Sequence, residues 1–210
     1  MPQKRILIFG GTRRTGLEIA RLLGQRGDAV VGIARETSDT AALEQTGARI
    51  VIGDAFDPEG LTIAVKNADC TAAICSLGNT AGAERKVDYE GVRNAIDAAV
   101  EAGLNRFILI TAFGCGDSRP ALSERAVQFL GKVCELKTMG EDHLKDSGLD
   151  WTIVRPGGLS SEPATGTAIL TEDFLASGMI RRGDVARLTV QCLDNDATIG
   201  HAYTAIDPGT

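Results

Sequence analysis

The chain has 210 residues, 43% apolar and 24% charged, the balance of an ordinary folded domain, which excludes disorder, a collagen-type repeat and a free-standing coiled coil. Lys and Arg number 22 against 28 Asp and Glu, a net charge of −6, and the aromatics are one Trp, two Tyr and six Phe. A general nucleic-acid surface and a base-stacking platform are therefore not expected.

Short apolar runs alternate with helical patterns. Arg5 to Phe9 predicts a buried strand, and Leu17, Ile19, Ala20 and Leu23 mark a helix over 16–26, ended by Gly27. A strand over 29–34, a short helix over 40–45 and a strand over 48–52 follow. Next come a short helix over 61–66 and a strand over 72–76. Val92, Ile96 and Ala99 mark a helix over 87–102, and 106–110 reads as a strand. The rest is a helix over 133–146, a strand over 151–154, a helix over 184–193 and a strand over 201–206. Repeated β-α units without consecutive hairpins predict a Rossmann-type, doubly wound parallel α/β sheet, a single domain over 1–210. The stretches 77–86, 112–122 and 159–178 read as irregular. Each follows a strand, so they are the expected walls of the substrate side.

The apolar run at the N-terminus spans about five residues, too short for a signal-peptide core. No 18 consecutive apolar residues occur. A cytoplasmic protein with no membrane partner is the expectation. The five cysteines are widely spaced without a CxxC pair, which reads as reduced thiols, Cys115 included. With two histidines in the chain, no metal site is expected, and His143 reads as a helix-surface residue. Arg181-Arg182 reads as a solvated helix start, with a substrate-anion site as the alternative.

The strongest chemical signal is Gly10-Gly11-Thr12-Arg13-Arg14-Thr15-Gly16 between the first strand and the first helix. Such a turn aims unpaired N–H groups and the helix dipole at a pyrophosphate. Gly10 permits the tight turn, and Gly16 lets helix and strand pack closely. Where an acid would bind the ribose 2′-hydroxyl, the second strand ends in Ala34-Arg35. That favours NADP(H) over NAD(H), with Arg35 on the 2′-phosphate and Arg13 as a second guanidinium. Glu36 is the competing ribose ligand.

These residues, with Gly53-Asp54-x-x-Asp57, Val87-Asp88-Tyr89-x-Gly91, Lys137-x-x-x-Glu141-x-x-Leu144, Thr152 to Leu159 and Arg182-x-Asp184-Val185-Ala186, resemble the atypical short-chain dehydrogenase/reductase superfamily. The likeness is to its NAD(P)-binding, NmrA-like and biliverdin/flavin reductase-like members, and it covers nearly the whole chain. It implies a Rossmann fold with a small C-terminal substrate cap. It puts Asp54 and Ala55 beside the adenine, and Cys75, Ser76, Leu77 and Gly78 along the ribose. Thr111, Ala112 and Phe113 would face the nicotinamide, and Pro156, Gly157, Gly158 and Leu159 would close its other side. Asp54 has a turn role as its alternative.

Two departures stand out. Arg13 occupies the middle position of the family's usual GxxGxxG, where it can cover the phosphates, fold outward or obstruct them. Covering is preferred, because its charge complements phosphate. YxxxK is also absent: Val133 lies four residues before Lys137, Arg93 four after Tyr89, and Asp207 four after Tyr203. A Tyr base is thus not expected. Thr111 and Lys137 remain as catalytic candidates, the hydroxyl orienting a carbonyl or water and the ammonium binding ribose or developing negative charge. A solvated helix lysine and a satisfied strand-end hydroxyl are their alternatives. The expected function is NADPH-dependent hydride transfer to a small planar conjugated acceptor, a flavin, quinone or tetrapyrrole. The alternatives are an NmrA-like dinucleotide sensor without turnover and an isomerase or epimerase that recycles its NADP. A small-molecule substrate and a monomer or weak homodimer complete the expectations.

Overall fold

The computed structural model describes residues 4–79 and 85–209. In chain order these form β1 (Arg5–Phe9), α1 (Arg14–Arg26), β2 (Ala29–Ala34), α2 (Ala41–Glu44), β3 (Arg49–Ile52), α3 (Pro58–Ala68), β4 (Ala72–Cys75), α4 (Glu90–Glu101), β5 (Arg106–Ile110), α5 (Glu124–Lys145), β6 (Asp150–Pro156), β7 (Gly158–Ser160), β8 (Ile169–Thr171), β9 (Met179–Arg181), α6 (Arg182–Asp194) and β10 (His201–Ile206). The main sheet runs β3-β2-β1-β4-β5-β6-β10-β8. Its strands are parallel except for β8, which pairs antiparallel with β10. The order 3-2-1-4-5-6 places a crevice at the carboxyl ends of β1 and β4, where the winding reverses.

Period-two alternation sorts the core into two layers. Ile6 and Ile8 of β1 face Leu17, Leu23, Val185 and Leu188, on α1 and α6. Leu7 and Phe9 face the opposite way, among Leu61, Val92, Ile96 and Leu144, on α3, α4 and α5. Helices thus cover both faces, which is why these strands read as unbroken apolar runs.

Several boundaries differ from expectation for local reasons. α5 starts at Glu124, nine residues before the expected Val133, because Ser123 Oγ caps it by accepting from Ala126 N at 3.2 Å. α3 starts at Pro58 and not Leu61, with Asp57 as its cap and Pro58 in the first turn. α4 begins at Glu90, three residues after the expected start. The stretch expected to be irregular over 159–178 contains β8 and most of β7, and β7 pairs with β9 through Leu159 and Ile180. The 112–122 loop contains a 3-10 turn at Gly116–Ala121. Of the expected 77–86 wall, residues 80–84 lie outside the described residues.

Two buried carboxylates pin the segment before β8. Asp184 accepts from Thr165 N (2.8 Å) and Gly166 N (3.0 Å). Asp207 accepts from Thr165 Oγ1 (2.6 Å) and Thr167 Oγ1 (2.9 Å), and Arg181 Nη1 stands 3.2 Å away. Burial opposes ionisation of Asp184, yet the bonds from the Thr165 and Gly166 amides, the Thr165 hydroxyl and Arg187 together outweigh it and lower its pKa. The Thr165 hydroxyl lowers that of Asp207 against its own burial. A carboxyl with a depressed folded pKa stabilises fully above its unfolded value, about 3.9, and loses that contribution as pH falls through the folded value. Melting temperature should therefore hold from pH 6 to 5 and drop below about pH 4. Asp184→Asn is expected to lower the plateau and flatten the acid limb. An unchanged acid limb in that variant would count against the assignment.

Candidate functional site

The turn after β1 is built by two glycines. Gly10 adopts φ +80, and a Cβ there would lie 2.8 Å from Ser76 O, so the turn rests against the end of β4. A Cβ on Gly16 would lie 2.1 Å from Gly10 O, so α1 starts in backbone contact with the turn. Arg13 is the N-cap of α1 and makes no side-chain cap bond, and the first turn carries no acid. The helix amides are left to an anion. Arg13 sits in extended backbone, φ −159, which any residue adopts, so the missing middle glycine costs the backbone nothing. The left-handed position falls on Arg14, φ 52, a cost of about 1–2 kcal/mol.

From this turn a cleft of about 760 Å³ runs along the carboxyl ends of the strands, within the ~300–1,000 Å³ range of small-molecule sites. At one end stand Arg35, Thr37, Ser38 and Asp39 after β2, and Asp54, Ala55 and Phe56 after β3. Asp54 Oδ1 accepts from Phe56 N at 2.9 Å, and Asn94 Nδ2 donates to Ala55 O at 2.8 Å, fixing this loop. Arg85 stacks on the Phe56 ring, 3.9 Å from its centroid. At the other end are Thr111, Ala112, Lys137, Leu159 and Arg182.

Lys137 Nζ lies 2.9 Å from Asp88 Oδ1, and the Asp88 side chain is 1% exposed. Lys137 is thus a held cation on the cleft wall, not a solvated helix lysine. Both stand near Gly78, whose Cβ would be 3.9 Å from either charged atom. Thr111 Oγ1 donates to Glu141 Oε1 at 2.6 Å. Glu141 in turn holds Arg155 by two bonds, Nε at 3.0 Å and Nη2 at 2.6 Å. The Thr111 proton is therefore committed, and toward a ligand this hydroxyl accepts. Of the expectation that it would orient a carbonyl or a water, the carbonyl is corrected on that ground, because a carbonyl needs a donor, while a water can still donate to it.

The fold, the glycine turn and the cleft have a counterpart in sequence: residues 10–196 match the family described as NAD(P)H-binding. The chain belongs to the NAD(P)H-binding family. It is similar to ChuY, an anaerobillin reductase from Escherichia coli O157:H7, with 34% identity, TM-score 0.88 and 98% of each chain covered. It is 30% identical to the uncharacterized sugar epimerase YhfK of Bacillus subtilis, over 98% of this chain and 95% of that protein. It is 26% identical to sanguinarine reductase of Eschscholzia californica, over 94% of this chain and 87% of that protein.

Most residues expected to bind cofactor in this family member line the cleft. Gly10, Thr12, Arg13, Arg14, Thr15, Arg35, Asp54, Ala55, Ser76, Leu77, Gly78, Thr111, Ala112, Lys137 and Leu159 all do so. Others do not. Gly16 acts by packing, as above. Cys75 is fully buried within β4, and burial pushes its thiol up to about 11. Phe113 and Pro156 are joined by a backbone bond of 2.8 Å away from the lining. Gly157 packs against Gly178 O, and Gly158 against the Met179 sulfur. Glu36, the competing ribose ligand, is not on the lining, although Arg35 and Thr37 on either side of it are.

Of the other lining residues, Asn79 and Arg85 fall in the expected 77–86 wall and Arg182 was named with a substrate-anion site as its alternative, whereas Phe56 was missed, as were the roles of Glu141 and Arg155 beneath the lining. Glu141 and Arg155 stood in the quoted motifs without a role. The reading of Arg181-Arg182 as a solvated start is corrected: Arg181 pairs with Asp207 and Glu162, and Arg182 faces the cleft. His143 pairs with Asp97 on the helix surface. Cys115 is fully buried, and its hydrogen bond with Cys134 and its burial both push its pKa up, as an inert thiol requires.

No helix among the described residues is long and apolar enough to cross a membrane.

Proposed function

We propose that the protein is an NADPH-dependent reductase that passes a hydride to a small planar conjugated acceptor, of the flavin, quinone or tetrapyrrole kind. One observation carries this reading. A single cleft joins an uncapped, arginine-flanked phosphate turn to a hydroxyl and a held ammonium at the carboxyl end of a parallel sheet, and neither tyrosine of the chain lines it. A substrate needing a Tyr base would find none, so alignment of donor and acceptor is what this site has to offer. The names of ChuY and sanguinarine reductase, both reductases, support the same reading.

The α1 amides with Thr12 to Thr15 would hold the pyrophosphate. Arg35, with no ion-pair partner among the described residues, would take the 2′-phosphate. Asp54 and Ala55 would flank the adenine. Bound there, the cofactor supplies the hydride from the nicotinamide C4. Thr111 would accept a hydrogen bond from the carboxamide or ribose end. Lys137, fixed by Asp88, would bind ribose hydroxyls and offset negative charge as it develops on the acceptor.

Calorimetric titration with NADPH, NADP⁺ and NADH tests the cofactor assignment. NADPH should bind in the micromolar range, and Arg35→Ala should weaken it about tenfold or more while leaving NADH unchanged. Equal loss for both cofactors would discard the 2′-phosphate role. NADPH consumption with flavin, quinone and tetrapyrrole acceptors tests the reaction. Tight NADPH binding without turnover of any of them would move the protein to the sensor class.

A further inference from the structure

We propose that Arg182 anchors a carboxylate on the acceptor, so that the preferred substrates are planar conjugated molecules with an acidic side arm. The inference rests on the reductase reading and concerns the acceptor end of the same cleft. Arg182 opens α6 and lines the cleft with Leu159. Its Nη1 donates to Ser161 Oγ at 2.7 Å. Its Nε is buried without a hydrogen-bond partner.

The Nε atoms of Arg106 and Arg187 are likewise buried without a hydrogen-bond partner, so what sets Arg182 apart among the sequestered arginines is its missing counter-charge. Arg155 faces Glu141, Arg181 faces Asp207, and Arg187 faces Asp184 and the Ala168 carbonyl. Arg106 is embedded among the carbonyls of Asp150 and Cys192. Arg182 alone of these meets neither a carboxylate nor a carbonyl among the described residues, only a hydroxyl. A partly buried guanidinium without a counter-charge is costly unless an anion completes it.

The remaining charges narrow the choice of anion. Arg13, Arg14 and Arg35 stand with the phosphate turn and the end of β2. Lys137 is matched by Asp88, and Arg85 by Glu90. The cation at the acceptor end that no carboxylate among the described residues already matches is therefore Arg182, and its planar fork suits a carboxylate bound by two bonds. Leu159, on the same wall and 43% exposed, supplies apolar surface for the conjugated body.

The test compares biliverdin, a linear tetrapyrrole dicarboxylate, with its dimethyl ester, by binding to the NADP⁺-loaded protein. The acid should bind about tenfold or more tightly than the ester. Arg182→Gln should erase that ratio by weakening the acid alone, and Arg182→Lys should keep part of it. A misfolded variant would lose both ligands, so the ratio separates charge from fold. Ser161→Ala, which removes the hydroxyl that orients the guanidinium, should lower the ratio a few-fold. Equal affinity in the unmodified protein, binding of neither ligand, or an acid preference that survives Arg182→Gln would each overturn the anchor. Reduction of menadione, which has no carboxylate, judges the reductase reading separately. Turnover of menadione without an acid preference discards the anchor and keeps the reductase. An Arg182-dependent acid preference without turnover of any acceptor keeps the anchor and discards the reductase.

Discussion

Glu141→Ala is expected to destabilise the protein by about 3–5 kcal/mol, the usual cost of leaving one member of a buried ion pair alone. Glu141 is fully buried and Arg155 is 2% exposed. Alanine would strand the guanidinium away from water and take the acceptor from Thr111 as well. Gly116, φ +51, abuts the pair closely: a Cβ there would lie 2.1 Å from Arg155 Nη2. Urea unfolding measures the loss. A double variant, Glu141→Leu with Arg155→Leu, should recover most of it, because apolar replacement of both partners removes the stranded charge. A single variant within 1 kcal/mol of the parent, about one ordinary hydrogen bond, would show that Arg155 is solvated by another route.

Gly16→Ala should abolish useful dinucleotide binding. The added methyl would stand 2.1 Å from Gly10 O, 2.9 Å from Gly10 C and 3.1 Å from Gly11 Cα. All three are backbone atoms of the phosphate turn, so relief requires the turn to move away from α1. A displacement on the order of an ångström is enough to lose about 100-fold in a positioned site. Stability should fall by about 1–3 kcal/mol, as in other overpacked contacts. Titration with NADPH is the readout, and binding within threefold of the parent would sink the idea.

These two residues mark what the sequence made legible. Gly16 announced itself, because strand, glycine turn and helix are local and their spacing alone implies a close approach. The β-α alternation and the parallel sheet were legible for the same reason. Glu141 was silent. It sits on α5, Arg155 lies in β6 and Thr111 just after the end of β5, so their meeting depends on the tertiary fold. The first half of α5 was hidden by its own exposure. Phe129 and Leu130 point to solvent there, so apolar spacing tracks no buried face, and Ser123 was the remaining signal. β7, β8 and β9 have three residues each, too few to show a period. Arg182 was misread because a pair of arginines at a helix start usually faces water, and only the fold of the preceding segment turns one inward.

The packing of α1 against α6 joins the two ends of the cleft. α1 begins at the phosphate turn, and α6 begins at Arg182. On the ribosome, α1 is made more than a hundred residues before the helix that covers it, and closing so long a loop is slow. During that interval the face of α1 bearing Leu17, Ile19 and Leu23 lacks its cover of α6 side chains and is open to wrong partners. The glycine turn is thus made, with α1 behind it, more than a hundred residues before Arg182 exists.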